Sequence, residues 1–284
     1  MGGHVEIVEV GPRDGLQNEA RLIPTPAKIA LIDLLSGAGF RRIEAASFVS
    51  PKWVPQMADG AGVMAGIRRV PGVRYAALVP NLQGYLAARA AGVDEVAIFV
   101  AASEGFSRAN LNASIDDSLT RLRPVAEAAL RDGVALRGYV SCVTDCPFDG
   151  PTPPVNVARV AARLRDMGCA EVSLGDTIGR GTPQAVDAML RAVLGELAPD
   201  RLAGHFHDTR GRALDNIAVA LQHGVRIFDA SVGGLGGCPY APGAAGNVAT
   251  EAVAAWLAGQ GWQTGLDPGV LAQAAVMARG LRTG

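Results

Sequence analysis

Apolar and polar positions along this chain alternate between two rhythms. Short runs rich in β-branched and other apolar residues occupy 5–10, 42–45, 74–79, 95–100, 136–142, 171–174, 202–207 and 227–232. Between them lie alanine-rich stretches at 25–37, 114–132, 155–167, 183–197 and 214–223, where apolar residues recur at helical spacing. Glycine stands near the end of several of these helices, at Gly37 or Gly39, Gly92, Gly133, Gly168 and Gly224. There it suits the left-handed cap that turns a chain back toward a sheet. Strands alternating with helices predict right-handed crossovers and a parallel sheet. Eight such units in about 260 residues predict an α/β fold of the (β/α)₈ TIM-barrel type, with 266–282 as an additional C-terminal helix. A doubly wound sheet is the structural alternative. It would gather its polar residues at one switch point. Here they follow several strands instead: Arg13 and Asp14 after the first, Glu44 at the second, Asp176 at the sixth, His205 and His207 at the seventh, and the loop 233–247 after the eighth. That distribution favours the barrel, whose chemistry sits at the C-terminal strand ends. No linker or shift in composition divides the chain, so residues 1–284 read as one catalytic domain.

Composition narrows the class. Hydrophobic residues make up 49% and charged residues 19%, which is enough for one large core and too little charge for disorder. Twenty-six Lys and Arg stand against 27 Asp and Glu, a net charge of -1 that argues against nucleic acid as a partner. No apolar run approaches the roughly 18 residues of a membrane span, and the first residues offer no apolar signal segment. Cys142, Cys146, Cys169 and Cys238, in a chain read as having no export signal, suggest reduced thiols and a cytoplasmic protein.

Candidate chemistry then comes from a few positions. His205 and His207 are two of only four histidines, and at i and i+2 at a strand end both rings point to one side. They can share a cation, although a plain hydrogen-bonded pair is the alternative. His4 and His223 read as solvated. Asp14 is a possible third ligand, and Arg13 a possible holder of a developing oxyanion; an ordinary Asp-Gly turn beside an exposed arginine is the plainer reading. Asn247 is a fourth candidate ligand or simply a helix N-cap. Such a mixed oxygen and nitrogen set suits Mg²⁺ or Mn²⁺ better than Zn²⁺. The run Gly233-Gly234-Leu235-Gly236-Gly237-Cys238-Pro239 lacks the features of either phosphate-binding glycine motif. Its glycines suit a lid that carries Cys238 as a proton donor, against the alternative of an incidental surface cysteine. Cys142-x₃-Cys146 has no second pair at zinc-ribbon spacing. Glu44 and Asp176, set in apolar surroundings, must orient catalytic groups or bridge strands.

Together these residues resemble a known family over nearly the whole chain. The stretches 10–19 (VGPRDGLQNE), 44–59 (EAASFVSPKWVPQMAD), 138–143 (GYVSCV), 173–179 (SLGDTIG), 205–209 (HFHDT) and 233–241 (GGLGGCPYA) are similar to hydroxymethylglutaryl-CoA lyases. The cysteine loop is specific to these lyases; Arg-Asp-Gly and His-x-His occur more widely among barrel metalloenzymes. The resemblance implies a divalent cation on Asp14, His205, His207 and Asn247, catalytic Arg13 and Cys238, further active-site roles for Glu44, Asp176 and His205, and substrate contacts from Arg13 and Gln17. It implies retro-Claisen cleavage of 3-hydroxy-3-methylglutaryl-CoA to acetyl-CoA and acetoacetate, an acyl-CoA substrate, a homodimer, and a place in leucine breakdown. Alternatives are a lyase for a longer branched hydroxyglutaryl-CoA, a barrel aldolase, or a non-catalytic CoA-ester-binding regulator. Arg210, Pro242, Ala245, Asp145 and Val100 depart from the usual family pattern and bear on the acyl group.

Overall fold

The computed structural model describes residues 2–238 and 241–283, without the side chains of 237, 238, 241–245 and 283. Its centre is a closed barrel of β1 (Glu6–Glu9), β2 (Arg42–Ser47), β3 (Arg74–Leu78), β4 (Glu95–Ala101), β5 (Ala135–Ser141), β6 (Glu171–Asp176), β7 (Leu202–Phe206) and β8 (Ile227–Ala230). Each strand pairs in parallel with its sequence neighbours, and β8 closes on β1. Strand residues are buried almost throughout, because one face meets the barrel interior and the other the helices. This accounts for the nearly unbroken apolar runs in the sequence.

The predicted helices appear as Thr25–Ser36, Ile115–Arg131, Pro154–Asp166, Pro183–Val193 and Ala213–Gln222, followed by Thr250–Gly259 and the additional C-terminal helix Pro268–Thr283. Local chemistry sets several of their starts: Ser114 Oγ accepts from Asp117 N at 3.1 Å and Thr182 Oγ1 from Ala185 N at 3.2 Å. The C-terminal helix buries Leu271, Ala274, Ala275 and Ala278. The helix Leu82–Ala90 ends just before Gly92, one of the glycines read as a helix end, whereas two further helices, Gly60–Gly66 and Glu104–Leu111, have no counterpart in the sequence pattern. They are short, and alanine and glycine blur their apolar faces. Among the described residues no helix is long and apolar enough to cross a membrane.

The barrel interior is strongly polar at its N-terminal end. Arg42 opens β2 and donates Nη1 and Nη2 to Glu171 of β6, both at 3.0 Å, and Nε to Glu6 of β1 at 2.7 Å. Arg137 of β5 donates Nε to the same Glu171 at 2.7 Å. Charged residues in such a place persist only when paired. The network closes the bottom of the barrel and leaves the opposite end for the site.

Candidate active site

The first turn after β1 shapes the floor. Val10 O accepts from the backbone N–H groups of Arg13 (3.2 Å), Asp14 (2.7 Å) and Gly15 (3.2 Å), which winds Gly11–Gly15 into a single wide π-type turn. That turn points Arg13 inward. The guanidinium is buried, 4% exposed, not the exposed side chain of an ordinary turn. Its Nε donates to Glu44 Oε2 at 2.6 Å and its Nη1 to Asp14 Oδ1 at 2.7 Å. The guanidinium carbon lies 5.6 Å from the centre of the Tyr139 ring. Burial opposes the arginine charge, but Glu44 and Asp14 outweigh it and hold the group firmly protonated.

Glu44 comes from β2 at a bulge. Its register partner is Ala76, yet Ala46 pairs with the next residue, Ala77, so Ala45 is an extra residue there. Glu44 Oε2 serves Arg13, while the buried Oε1 has no partner among the described residues. Burial raises its pKa above the usual carboxylate range.

His205 in β7 and His207 just beyond it put their rings 5.3 Å apart, at 42°. His205 Nε2 lies 3.9 Å from Asp14 Oδ2, and its Nδ1 lies 3.1 Å from Asp229 Oδ2. One ligand atom from each of Asp14, His205 and His207 lies within 4.8 Å of the others. These three can therefore hold a metal ion between them. The donor chemistry fits: burial opposes the Asp14 charge, but Arg13 and His205 outweigh it and hold the carboxyl at a pKa of about 2, so it is ionised. Burial and the neighbouring His205 hold His207 at about 4, so it is the neutral imidazole a cation needs. His207 Nδ1 is buried without a partner among the described residues.

Asn247 reaches the same place through the return leg of the eighth loop, where it bridges to His207 in antiparallel fashion. Its Nδ2 donates to Asp14 Oδ2 at 2.8 Å and to Leu235 O at 3.3 Å. It is not the cap of the following helix, a position taken by Ala249. Gly236 makes this approach feasible, since it has φ +100° and a Cβ there would fall 2.9 Å from Asn247 Nδ2. Cys238 pairs through its backbone with Ala241, and its side chain lies outside the described residues.

Two other expected positions have their own surroundings. Asp176 ends β6, fully buried, with Oδ1 accepting from Thr144 Oγ1 and Oδ2 from Gly181 N, both at 2.8 Å. It ties together the loops after β5 and β6. Burial, only partly offset by those bonds, raises its pKa. Gln17 lines a cleft of about 390 Å³ with Leu22, Trp53 and Gln56, and its Oε1 is buried without a partner among the described residues. His4 is exposed, as expected. His223 is not simply solvated: its Nε2 meets Asp187 Oδ1 at 2.8 Å.

Sequence reasoning missed Glu9 and Asp229. Glu9 Oε1 accepts from Gly11 N (2.8 Å) and Val232 N (2.9 Å), and its Oε2 from Thr250 Oγ1 (2.7 Å). It thus joins the Arg13 turn to the start of the glycine-rich loop. Asp229 faces His205 from the neighbouring strand. Both are carboxylates inside apolar strands, the signal that exposes Glu44 and Asp176.

Comparison with known proteins fits this arrangement. Residues 4–277 match the HMGL-like family model. The chain is 59% identical over 263 residues to the mitochondrial hydroxymethylglutaryl-CoA lyase of Bos taurus, covering 93% of this chain and 81% of that protein. It is 58% identical over 270 residues to the 3-hydroxy-3-isohexenylglutaryl-CoA/hydroxy-methylglutaryl-CoA lyase of Pseudomonas aeruginosa, covering 95% and 90%. The crystal structure of the HMG-CoA lyase from Brucella melitensis superimposes with a TM-score of 0.99 at 61% identity, over 100% of both chains.

Proposed function

The chain belongs to the HMGL-like family of hydroxymethylglutaryl-CoA lyases, and from that premise we propose how its residues divide the reaction. It is a carbon–carbon lyase that cleaves 3-hydroxy-3-methylglutaryl-CoA to acetyl-CoA and acetoacetate. The observation that carries the assignment of residues is the convergence of Asp14, His205 and His207 beside the buried Arg13. We assign these three, with Asn247, as the ligand set for Mg²⁺ or Mn²⁺. A divalent cation held there supplies Lewis acidity toward the tertiary hydroxyl of the substrate.

Glu44, whose buried Oε1 lacks a partner among the described residues, is assigned the hydroxyl proton; His205, the other candidate, has its one free lone pair directed at the cation. As that proton leaves, the bond between C2 and C3 breaks. C3 becomes the ketone of acetoacetate, and the electron pair passes to the thioester as an enolate. Arg13 stabilises the oxygen on which that charge develops, from a geometry fixed by Glu44 and Asp14. Cys238, on the strength of its motif, returns a proton to carbon and completes acetyl-CoA. Asp176 positions the surrounding loops. Gln17, with its unpartnered amide oxygen in the cleft, contacts the substrate.

One observation favours a second substrate. The cleft at Gln17 carries exposed Leu22 (64%) and Trp53 (80%), an apolar surface on which a longer branched acyl chain could lie. A single catalytic domain, a homodimer and a reducing, cytoplasmic setting complete the proposal; the free Cys142, Cys146 and Cys169 support the last. Parallel turnover of the two acyl-CoA esters tests the substrate. The methyl compound should release equal amounts of acetyl-CoA and acetoacetate with the higher kcat/KM. The reverse ranking would transfer the assignment to the longer substrate, and cleavage of neither would overturn the reading.

A further inference from the structure

We propose that Asp229, held in place by Arg137 and Ser173, is a positioning residue that fixes the tautomer and orientation of His205 so that Nε2 is the nitrogen offered to a cation. The inference rests on the reading of Asp14, His205 and His207 as the metal-holding set, and adds to it a group that touches neither metal nor substrate. Register brings the two side chains together, because Asp229 of β8 is the direct partner of His205 in β7. Asp229 Oδ2 lies 3.1 Å from His205 Nδ1 and also accepts from Ser173 Oγ at 2.8 Å. The other oxygen, Oδ1, accepts from Arg137 Nη2 at 2.8 Å. The Asp229 side chain is fully buried, so no solvent competes for these bonds. Arg137 is anchored in turn: Nε on Glu171 Oε1 at 2.7 Å and Nη1 on Tyr139 OH at 2.8 Å. The carboxylate therefore cannot swing away from the imidazole without breaking a buried network.

A carboxylate can only accept. The imidazole nitrogen facing Asp229 must then carry the proton, and in a neutral ring that leaves the lone pair on Nε2. Nε2 is the nitrogen that faces Asp14 Oδ2 at 3.9 Å. His207 contrasts with this, since its Nδ1 has no partner among the described residues. The two histidines are thus unequal, one with its tautomer chosen before any ion arrives and the other free to adjust. Hydrogen-bonded carboxylates behind a ligating histidine commonly raise metal affinity by about 10- to 100-fold.

The test uses full-length metal-free protein carrying ¹⁵N-labelled histidine, at a pH found by titration to lie above the last protonation change of the His205 ring. The wild-type spectrum should show His205 protonated at Nδ1 and bare at Nε2. Asp229→Asn, whose amide can also donate, should lose that preference and bind Mn²⁺ about 10- to 100-fold more weakly by paramagnetic resonance titration. A circular dichroism melt accompanies both proteins. Ser173→Ala, which leaves the Asp229 charge in place, should keep the Nδ1–H tautomer and near-native affinity. An Nε2–H tautomer in wild type, or Asp229→Asn binding Mn²⁺ as tightly as wild type, would overturn the proposal. If Asp229→Asn does not fold, the wild-type spectrum alone decides. Failure of wild type to bind Mn²⁺, with the Nδ1–H tautomer present, would strike the metal reading and leave the orientation of His205 standing.

Discussion

Arg13 is held on two sides by carboxylates, so its donors need little reorganisation when charge forms on a substrate. A lysine ammonium cannot reproduce a planar fork that spans Glu44 and Asp14 at once. Arg13→Lys should therefore lower kcat by about 10²–10³ while substrate affinity changes much less. Steady-state kinetics on the two proteins checks this, and a near-normal kcat for the variant would remove Arg13 from the chemistry. The sequence made Arg13, Asp14, His205 and His207 conspicuous because their residue types are unusual at strand ends. It did not show that Asn247 bonds to Asp14 across 233 positions, nor that Arg13 is buried. Asp229 escaped notice for a similar reason. Within Ile-Phe-Asp-Ala its side chain has no evident purpose until β8 is laid against β7.

The turn Gly11–Gly15 and the start of the glycine-rich loop meet at Glu9, which bonds to both and to Thr250. Burial raises the Glu9 pKa from 4.5 to about 7, despite bonds from Val232, Thr250 and Gly11 that lower it, and Glu251 adds to the rise. A carboxyl group with a raised folded-state pKa binds its proton more tightly in the native protein than in the unfolded chain. Its stabilising contribution is full below about pH 4.5 and is lost as pH rises through about 7, a change on the order of 3 kcal/mol. Glu9→Gln keeps the acceptor for Gly11 and Val232 and can donate to Thr250 Oγ1. Urea unfolding of both proteins between about pH 4 and 8 should show the variant gaining on wild type across that window, then running parallel above it. A constant difference at every pH would mean that Glu9 does not titrate there. The main helices and all eight strands are legible in the apolar rhythm, because burial on one or both faces writes directly into residue type. The π-type turn, the Ala45 bulge and the short helices Gly60–Gly66 and Glu104–Leu111 are not, since each depends on hydrogen bonds or packing made only after the barrel closes.

The closed barrel assigns its two ends different work. At the N-terminal end Arg42 and Arg137 share Glu171, and Arg42 reaches that residue across 129 positions. The opposite end holds Asp14, Glu44, His205 and His207, of which Glu44 Oε1 and His207 Nδ1 are buried and lack partners among the described residues. Eight βα units could be counted from the sequence, and the crowding of odd residues at strand ends favoured a barrel over an open sheet. The lower network could not be seen in the same way, for its members touch only through the barrel interior. Eight βα units should supply the core without a cation, whereas the proposed chemistry needs one. The most direct measurement is mass analysis of the products formed from 3-hydroxy-3-methylglutaryl-CoA by chelator-treated protein, before and after Mg²⁺ or Mn²⁺ is supplied, with circular dichroism recorded alongside. The metal-free protein should keep its folded spectrum and leave the substrate intact, and either ion should bring acetyl-CoA and acetoacetate in equal amounts. Equal cleavage without metal, or a folded protein that stays inert when both ions are present, would contradict the account.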